Sequence, residues 1–89
     1  MKQKTPLIIV GSKTCTNCKM LKNEVENFYY NDYDMKYYDM EDMPSNLLNE
    51  FFSTGIKKVP AIKINDKWHS GIATQLSVLL KNTATKVYA

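Results

Sequence analysis

The chain has no arginine: all twelve of its basic residues are lysine. Arginine supplies most of the planar, bidentate recognition of phosphate and guanine, so its absence argues against a dedicated reader of nucleic-acid sequence. Long apolar runs are missing too. The longest, Leu7-Ile8-Ile9-Val10, falls far short of a bilayer span. The basic start Met1-Lys2-Gln3-Lys4 leads only into that short run. Such a start is neither a secretory signal nor a membrane anchor, and it makes the cytoplasm the expected compartment. There is one histidine, His69, and there are two cysteines. Structural zinc usually takes four protein ligands, so no resident metal is expected. Three glycines and three prolines in 89 residues leave no linker or low-complexity segment, and a single domain over 1–89 follows.

What is present is unevenly charged. Residues 1–50 carry eight acids against six lysines, whereas 51–89 carry six lysines against Asp66 alone, within a net charge of +3. The lysines solvate the surface and steer acidic partners.

Periodicity divides the chain into seven elements. Leu7 to Val10 reads as a buried strand stopped by Gly11-Ser12. A helix is predicted from about Thr16 to Tyr30, then a tyrosine-rich strand from Met35 to Met40. Glu41-Asp42-Met43-Pro44 reads as a helix start with Pro44 at the first helical position, and Leu47, Leu48, Phe51 and Phe52 as its apolar face. Gly55 closes that helix, with Ile56 making the accompanying apolar contact. Ala61 to Ile64 alternates as a third strand, Asn65-Asp66 is a two-residue turn, and Lys67-Trp68-His69 returns as a fourth. Ser70-Gly71 opens a last helix with Ile72, Leu76, Leu79 and Leu80 as its buried stripe, fading near Asn82-Thr83; residues 84–89 are weakly patterned. The order β-α-β-α-β-β-α requires a parallel first pair with a right-handed crossover and an antiparallel hairpin later. A four-stranded mixed sheet of order 2-1-3-4, with helices on both faces, satisfies it.

The two cysteines stand where the first strand hands over to the first helix, as Cys15-Thr16-Asn17-Cys18. The spacing Cys18, Leu21, Val25, Phe28 follows one helix face, so Cys18 points toward the core. Cys15 falls at the cap, where unpaired N–H groups and the helix dipole favour an anion; Lys13 and Lys19 add positive charge. Such settings lower a thiol pKa from about 8.5 to between about 3.5 and about 7.5. The pattern suits thiol–disulfide exchange, with Cys15 the exposed nucleophile and Cys18 the buried resolving thiol. A purely structural disulfide is the weaker reading, since a four-residue loop constrains the unfolded chain little. Two inert core cysteines are opposed by the phase, which puts only one of them on the apolar face. Trp68 reads as a half-buried strand residue and His69 as a solvated strand end. The tyrosines at 29, 30, 33, 37 and 38 read as packing between the first helix and the second strand, in an acidic segment unsuited to nucleic acid.

With Gly55-Ile56-Lys57-Lys58-Val59-Pro60-Ala61 and Ser70-Gly71-Ile72 beside the cysteine motif, the chain resembles thioredoxin-fold proteins of the glutaredoxin and small-redoxin type over nearly its whole length. The resemblance implies a cis bond at Val59–Pro60 beside the nucleophile, with the Val59 backbone offered to a disulfide substrate. It also implies that Ser70, Gly71 and Ile72 contribute to binding. Thr16-Asn17 stands where glutaredoxins carry Pro-Tyr and thioredoxins Gly-Pro, a pair that tunes reduction potential. Lys13 is similar in place to the family's lysine for the glutathione carboxylate, one residue nearer the cysteine. Ala73 and Thr74 replace the acids that hold glutathione's amino group. In that respect the chain looks closer to redoxins that draw electrons from thioredoxin reductase and serve ribonucleotide reductase. The resemblance therefore implies a monomeric oxidoreductase without bound cofactor, acting on protein disulfides with glutathione or thioredoxin reductase as electron source. A thioredoxin-fold binding module without turnover is the alternative of a different class.

Overall fold

The computed structural model describes residues 4–88, with side chains described as far as residue 83. The basic start at Met1-Lys2-Gln3 and the last residue, Ala89, lie outside that range. The elements are β1 (Thr5–Gly11), α1 (Thr16–Phe28), β2 (Tyr33–Asp39), α2 (Ser45–Ser53), β3 (Ala61–Ile64), β4 (Lys67–Ser70) and α3 (Ala73–Tyr88). The sheet order is β2-β1-β3-β4. β1 runs parallel to β2, and β3 is antiparallel to both β1 and β4. The fold is the mixed α/β arrangement that the element order requires.

Strand alternation assigns each side chain to a face. Leu7 and Ile9 of β1 and Ile62 and Ile64 of β3 join Leu21 and Val25 of α1 and Ala73, Leu76 and Leu80 of α3 in one core. Val10 and Ala61 turn the other way, toward Met43 and Phe51 beneath α2. Tyr33 buries its ring in the larger core and donates its hydroxyl to the Leu80 carbonyl at 2.6 Å, tying β2 to α3. On the opposite face Lys63 of β3 forms an ion pair with Glu50 of α2, and the Trp68 indole N–H reaches the same carboxylate at 3.4 Å. The hydrogen bond from Lys63 holds the Glu50 carboxyl below the usual carboxylate range, against a smaller opposing effect of desolvation.

Local signals explain most boundaries. Asn65 and Asp66 both have positive φ, 51° and 63°, the backbone that a two-residue hairpin turn demands. Gly55, at φ +80°, ends α2 in the left-handed conformation, and Ile56 packs into the α2-side core just beyond it.

Several expectations are corrected. Phe28 is 73% exposed, because α1 turns its final buried contact over to Tyr29, four residues beyond Val25. Pro44 precedes α2 instead of opening it. Met43, restricted by the following proline, is extended at φ −71°, ψ 142°. The acids Glu41 and Asp42 belong to a separate 3-10 turn, Met40–Asp42, capped by the Asp39 carboxylate at 2.9 Å. Phe52 is exposed, leaving Phe51 as the fully buried residue of that helix. β2 begins at Tyr33, two residues before the predicted start, where its buried ring is needed. Ser70 ends β4 opposite Ala61 and does not open the helix. Ile72 is exposed at the entry to α3, and the stripe is Ala73, Leu76 and Leu80 with Leu79 half-buried. That helix continues through Asn82-Thr83 to Tyr88, since no glycine or proline follows Gly71 to break it.

Two outcomes are expected. Leu80→Ala should lower unfolding free energy by about 2–5 kcal/mol, read from urea denaturation, because it empties a fully buried site while keeping the backbone carbonyl that accepts from Tyr33. The folded pKa of Glu50 lies below its unfolded value, so its contribution to stability is present above the usual carboxylate range and lost as pH falls through the folded value. Lys63→Met should therefore flatten the acid limb of a melting-temperature profile, whereas an unchanged limb would show the pair to be idle.

Candidate functional site

Register brings distant segments to one end of the sheet. Val10 pairs with Ala61, and Ala61 pairs with Ser70. The carboxyl end of β1, the amino end of β3 and the carboxyl end of β4 therefore lie side by side. Each runs into a segment singled out by sequence: Lys13 to Cys18, Val59-Pro60 and Ser70-Gly71-Ile72. Asp39, opposite Gly11, closes the same end on the β2 side.

The cysteines are divided as the helix phase requires. Cys15 is the N-cap of α1, extended at φ −86°, ψ 107°, and its sulfur accepts the Cys18 backbone N–H at 3.1 Å. Its carbonyl accepts the Lys19 N–H at 3.3 Å, the first bond of the helix, and its own N–H returns to the Ser12 carbonyl at 3.2 Å. Cys15 is half-buried and Cys18 fully buried. The two are joined as a disulfide with Cα atoms 5.3 Å apart. Thr16 and Asn17 are exposed on the first turn. One helix terminus thus leaves a sulfur partly in solvent, directs one N–H at it, and keeps a second sulfur behind it.

On the β3–β4 side the Val59–Pro60 bond is cis. Pro60 is buried, while Val59 is half-buried against the α2-side core. Ser70 and Ile72 are exposed on either side of Gly71. The Ile72 N–H donates to the Gln75 side-chain oxygen at 3.4 Å, the returning half of a capping box at the start of α3. Lys13 is not on this side. It pairs with Glu41 at 3.8 Å and lines a groove toward β2 with Ser12, Lys19, Lys22, Tyr37 and Asp39. The cysteine motif therefore shares its end of the sheet with a lysine-lined groove toward β2 and with the Val59-Pro60 and Gly71 segments on the β3–β4 side. Among the described residues no three His, Cys, Asp or Glu side chains gather as a metal site, and no helix is long and apolar enough to cross a membrane.

Sequence reasoning missed Gly11 and Tyr37 as parts of the site. A Cβ built on Gly11 would collide with the Tyr37 hydroxyl and lie 2.8 Å from the Cys18 Cβ. The absent side chain is thus what lets α1 and the Tyr37 ring close over the end of β1. Gly11 carried a readable signal, a glycine at a strand end four residues before a C-x-x-C, but it resembles any strand terminator. Desolvation, and secondarily the charge of Asp39, push the Tyr37 phenol above its ordinary pKa. Gly11→Ala should destabilise the disulfide form by about 1–3 kcal/mol, since the Cys18 Cβ is fixed to the helix and cannot swing aside; calorimetry of the oxidised protein checks this.

No protein-family model matches the chain, and no curated protein sequence does. Among solved structures, the crystal structure of a mutant of the thioredoxin-like protein BC3987 superposes with a TM-score of 0.63 at 12% sequence identity. The match covers 83% of this chain and 96% of that one. With sequence identity so low, the likeness concerns architecture alone, and it agrees with the strand order and with the three helices derived above: the chain has a thioredoxin-like fold, with a C-x-x-C pair at disulfide distance where its first strand meets its first helix.

Proposed function

We propose that this protein is a small dithiol–disulfide oxidoreductase of the glutaredoxin-like kind, reducing protein or glutathione mixed disulfides. The observation that carries the reading is the division of the cysteine pair: Cys15 half-exposed at a helix cap, its sulfur accepting an N–H, and Cys18 buried behind it. An N–H directed at a sulfur favours the thiolate over the thiol.

The reaction follows from that division. The Cys15 thiolate attacks one sulfur of the substrate disulfide and expels the other as a thiolate. The substrate is then held as a mixed disulfide, its backbone pairing with Val59 and its flank against Gly71. The Cys18 sulfur next attacks the Cys15 sulfur. The bond to the substrate breaks, the substrate leaves as a thiolate, and the pair is left oxidised. Two electrons pass to the substrate, and an external thiol must return them. Thr16 and Asn17, between the sulfurs, set how reducing the pair is. The protein acts as a monomer without resident cofactor in the cytoplasm.

The basic groove with Lys13, Lys19 and Lys22 supports glutathione as the reductant, because a carboxylate beside Cys15 meets positive charge there. Exposed Ile72 beside Gly71, with Ala73 and Thr74 in place of acids, favours the second reading: a redoxin fed by thioredoxin reductase and donating to ribonucleotide reductase. Both use the same two sulfurs.

The deciding experiment follows NADPH consumption during reduction of a small disulfide, with glutathione and glutathione reductase as sole electron supply. Turnover that depends on Cys15 supports the glutathione-linked reading. No turnover, followed by turnover when thioredoxin reductase is supplied, selects the second. Inertness with both leaves a binding module. Cys15→Ser should abolish activity, and Cys18→Ser should accumulate mixed disulfides visible by non-reducing electrophoresis; failure to accumulate them would reverse the roles assigned to the two cysteines.

A further inference from the structure

The hydroxyl of Tyr37 lies over Gly11 beside Cys18, and the exchange reaction as outlined above makes no use of it. Tyr37 pairs in register with Ile9, and its ring leans along β2 toward the end of the sheet. The hydroxyl and the Cys18 Cβ both come within contact distance of the one point where a Gly11 side chain would stand. Tyr33, on the same strand, spends its hydroxyl on the Leu80 carbonyl. Among the described residues, Tyr37 has no such partner while the disulfide is closed.

The buried sulfur has the complementary need. Cys18 is fully buried, and an apolar setting disfavours a thiolate. Yet resolution of a mixed disulfide requires Cys18 as a thiolate. Among the groups nearby, the ones bearing charge are few. Lys22 of α1 lies over the Tyr37 ring at 5.5 Å, Asp39 follows on the same strand, and Lys13 and Lys19 line the groove, with Lys13 paired to Glu41. Burial and Asp39 keep the Tyr37 phenol protonated well past neutrality, so it remains a donor where exchange operates.

We propose that, once the disulfide opens, the Tyr37 hydroxyl donates a hydrogen bond to the Cys18 sulfur and so positions and stabilises the thiolate that resolves the mixed disulfide. The inference rests on the oxidoreductase reading. Tyr37 keeps its own proton throughout. The Cys18 proton passes to solvent and is balanced by protonation of the departing substrate thiolate. The Cys18 electron pair forms the bond to the Cys15 sulfur as the substrate–sulfur bond breaks. Tyr37 is a positioning residue, acting on the second step and not on the first.

The two steps separate in a single turnover of the fully reduced protein with dithiobis-nitrobenzoate. The first release of coloured thiolate reports attack by Cys15, and the second reports resolution by Cys18. Tyr37→Phe should slow the second phase relative to the first by about tenfold to a hundredfold near neutral pH, and move the second phase's pH midpoint upward. A second phase unchanged in both rate and pH profile would overturn the proposal. Absence of the first phase in the unmodified protein would instead overturn the exchange reading, and this inference with it. A further measurement follows the ionisation of Cys18 in Cys15→Ser protein, which should move to higher pH when Tyr37→Phe is added. No movement counts against the donor.

Discussion

The position of α1 against the end of β1 is the constraint on which the rest depends. Helices pack on sheets at a distance set by the side chains between them, and at Gly11 there is none. The first turn of α1 descends there until the Cys18 Cβ lies 2.8 Å from where any other residue's Cβ would stand, with the Tyr37 hydroxyl nearer still. This single close approach buries one sulfur while the other, three residues earlier, stays at the cap and partly in solvent. A bulkier strand end would lift the helix, expose Cys18 and remove the distinction between the two thiols. Leu21 and Val25, one and two turns further along, hold the helix at that depth by packing on Leu7 and Ile9.

From that anchor the other parts of the site are fixed by strand register and not by proximity in sequence. Pro60 immediately precedes the residue paired with Val10, and Gly71 immediately follows the residue paired with Ala61. The chain therefore needs only three strand ends, correctly registered, to bring Val59-Pro60 and Gly71 to the end of the sheet that carries Cys15. The two flanks differ in chemistry: lysine-rich toward β2, apolar and backbone-rich toward β4.

Much of this was legible in the residues, for reasons that particular elements make clear. The four-residue apolar run of β1, the helix phase of Cys18, Leu21 and Val25, and the Asn65-Asp66 turn are local signals with one physical solution each. The parallel pairing of β1 with β2 then left few sheet orders. Legibility failed where the answer lay in tertiary packing. Phe28, Phe52 and Ile72 are as apolar as the residues that are buried, and only the crossing of α1, α2 and α3 over the sheet decides that Tyr29, Phe51 and Ala73 are taken instead. The 3-10 turn at Met40–Asp42 hid a helix start behind its acids. Tyr37 sits in a cluster of tyrosines with nothing in the pattern to separate it from Tyr33 or Tyr38. Its place beside Cys18 follows from the β1–β2 register and the missing side chain of Gly11, neither of which a periodicity conveys.

The sheet order has one more consequence. Because β1 and β3 occupy the centre, β2 and β4 are rims, each with a row of backbone donors and acceptors that no further strand meets among the described residues. Such rims invite another copy to extend the sheet. The rims are guarded differently. β4 is four residues long and begins with exposed Lys67. β2 is seven residues long, but its outward positions alternate through Asp34 and Lys36, both exposed, so a flat apolar ribbon is never presented. The same strand that places the Tyr37 hydroxyl over Gly11 on one face thus carries exposed charges, Asp34 and Lys36, on the other, a pattern that disfavours strand addition.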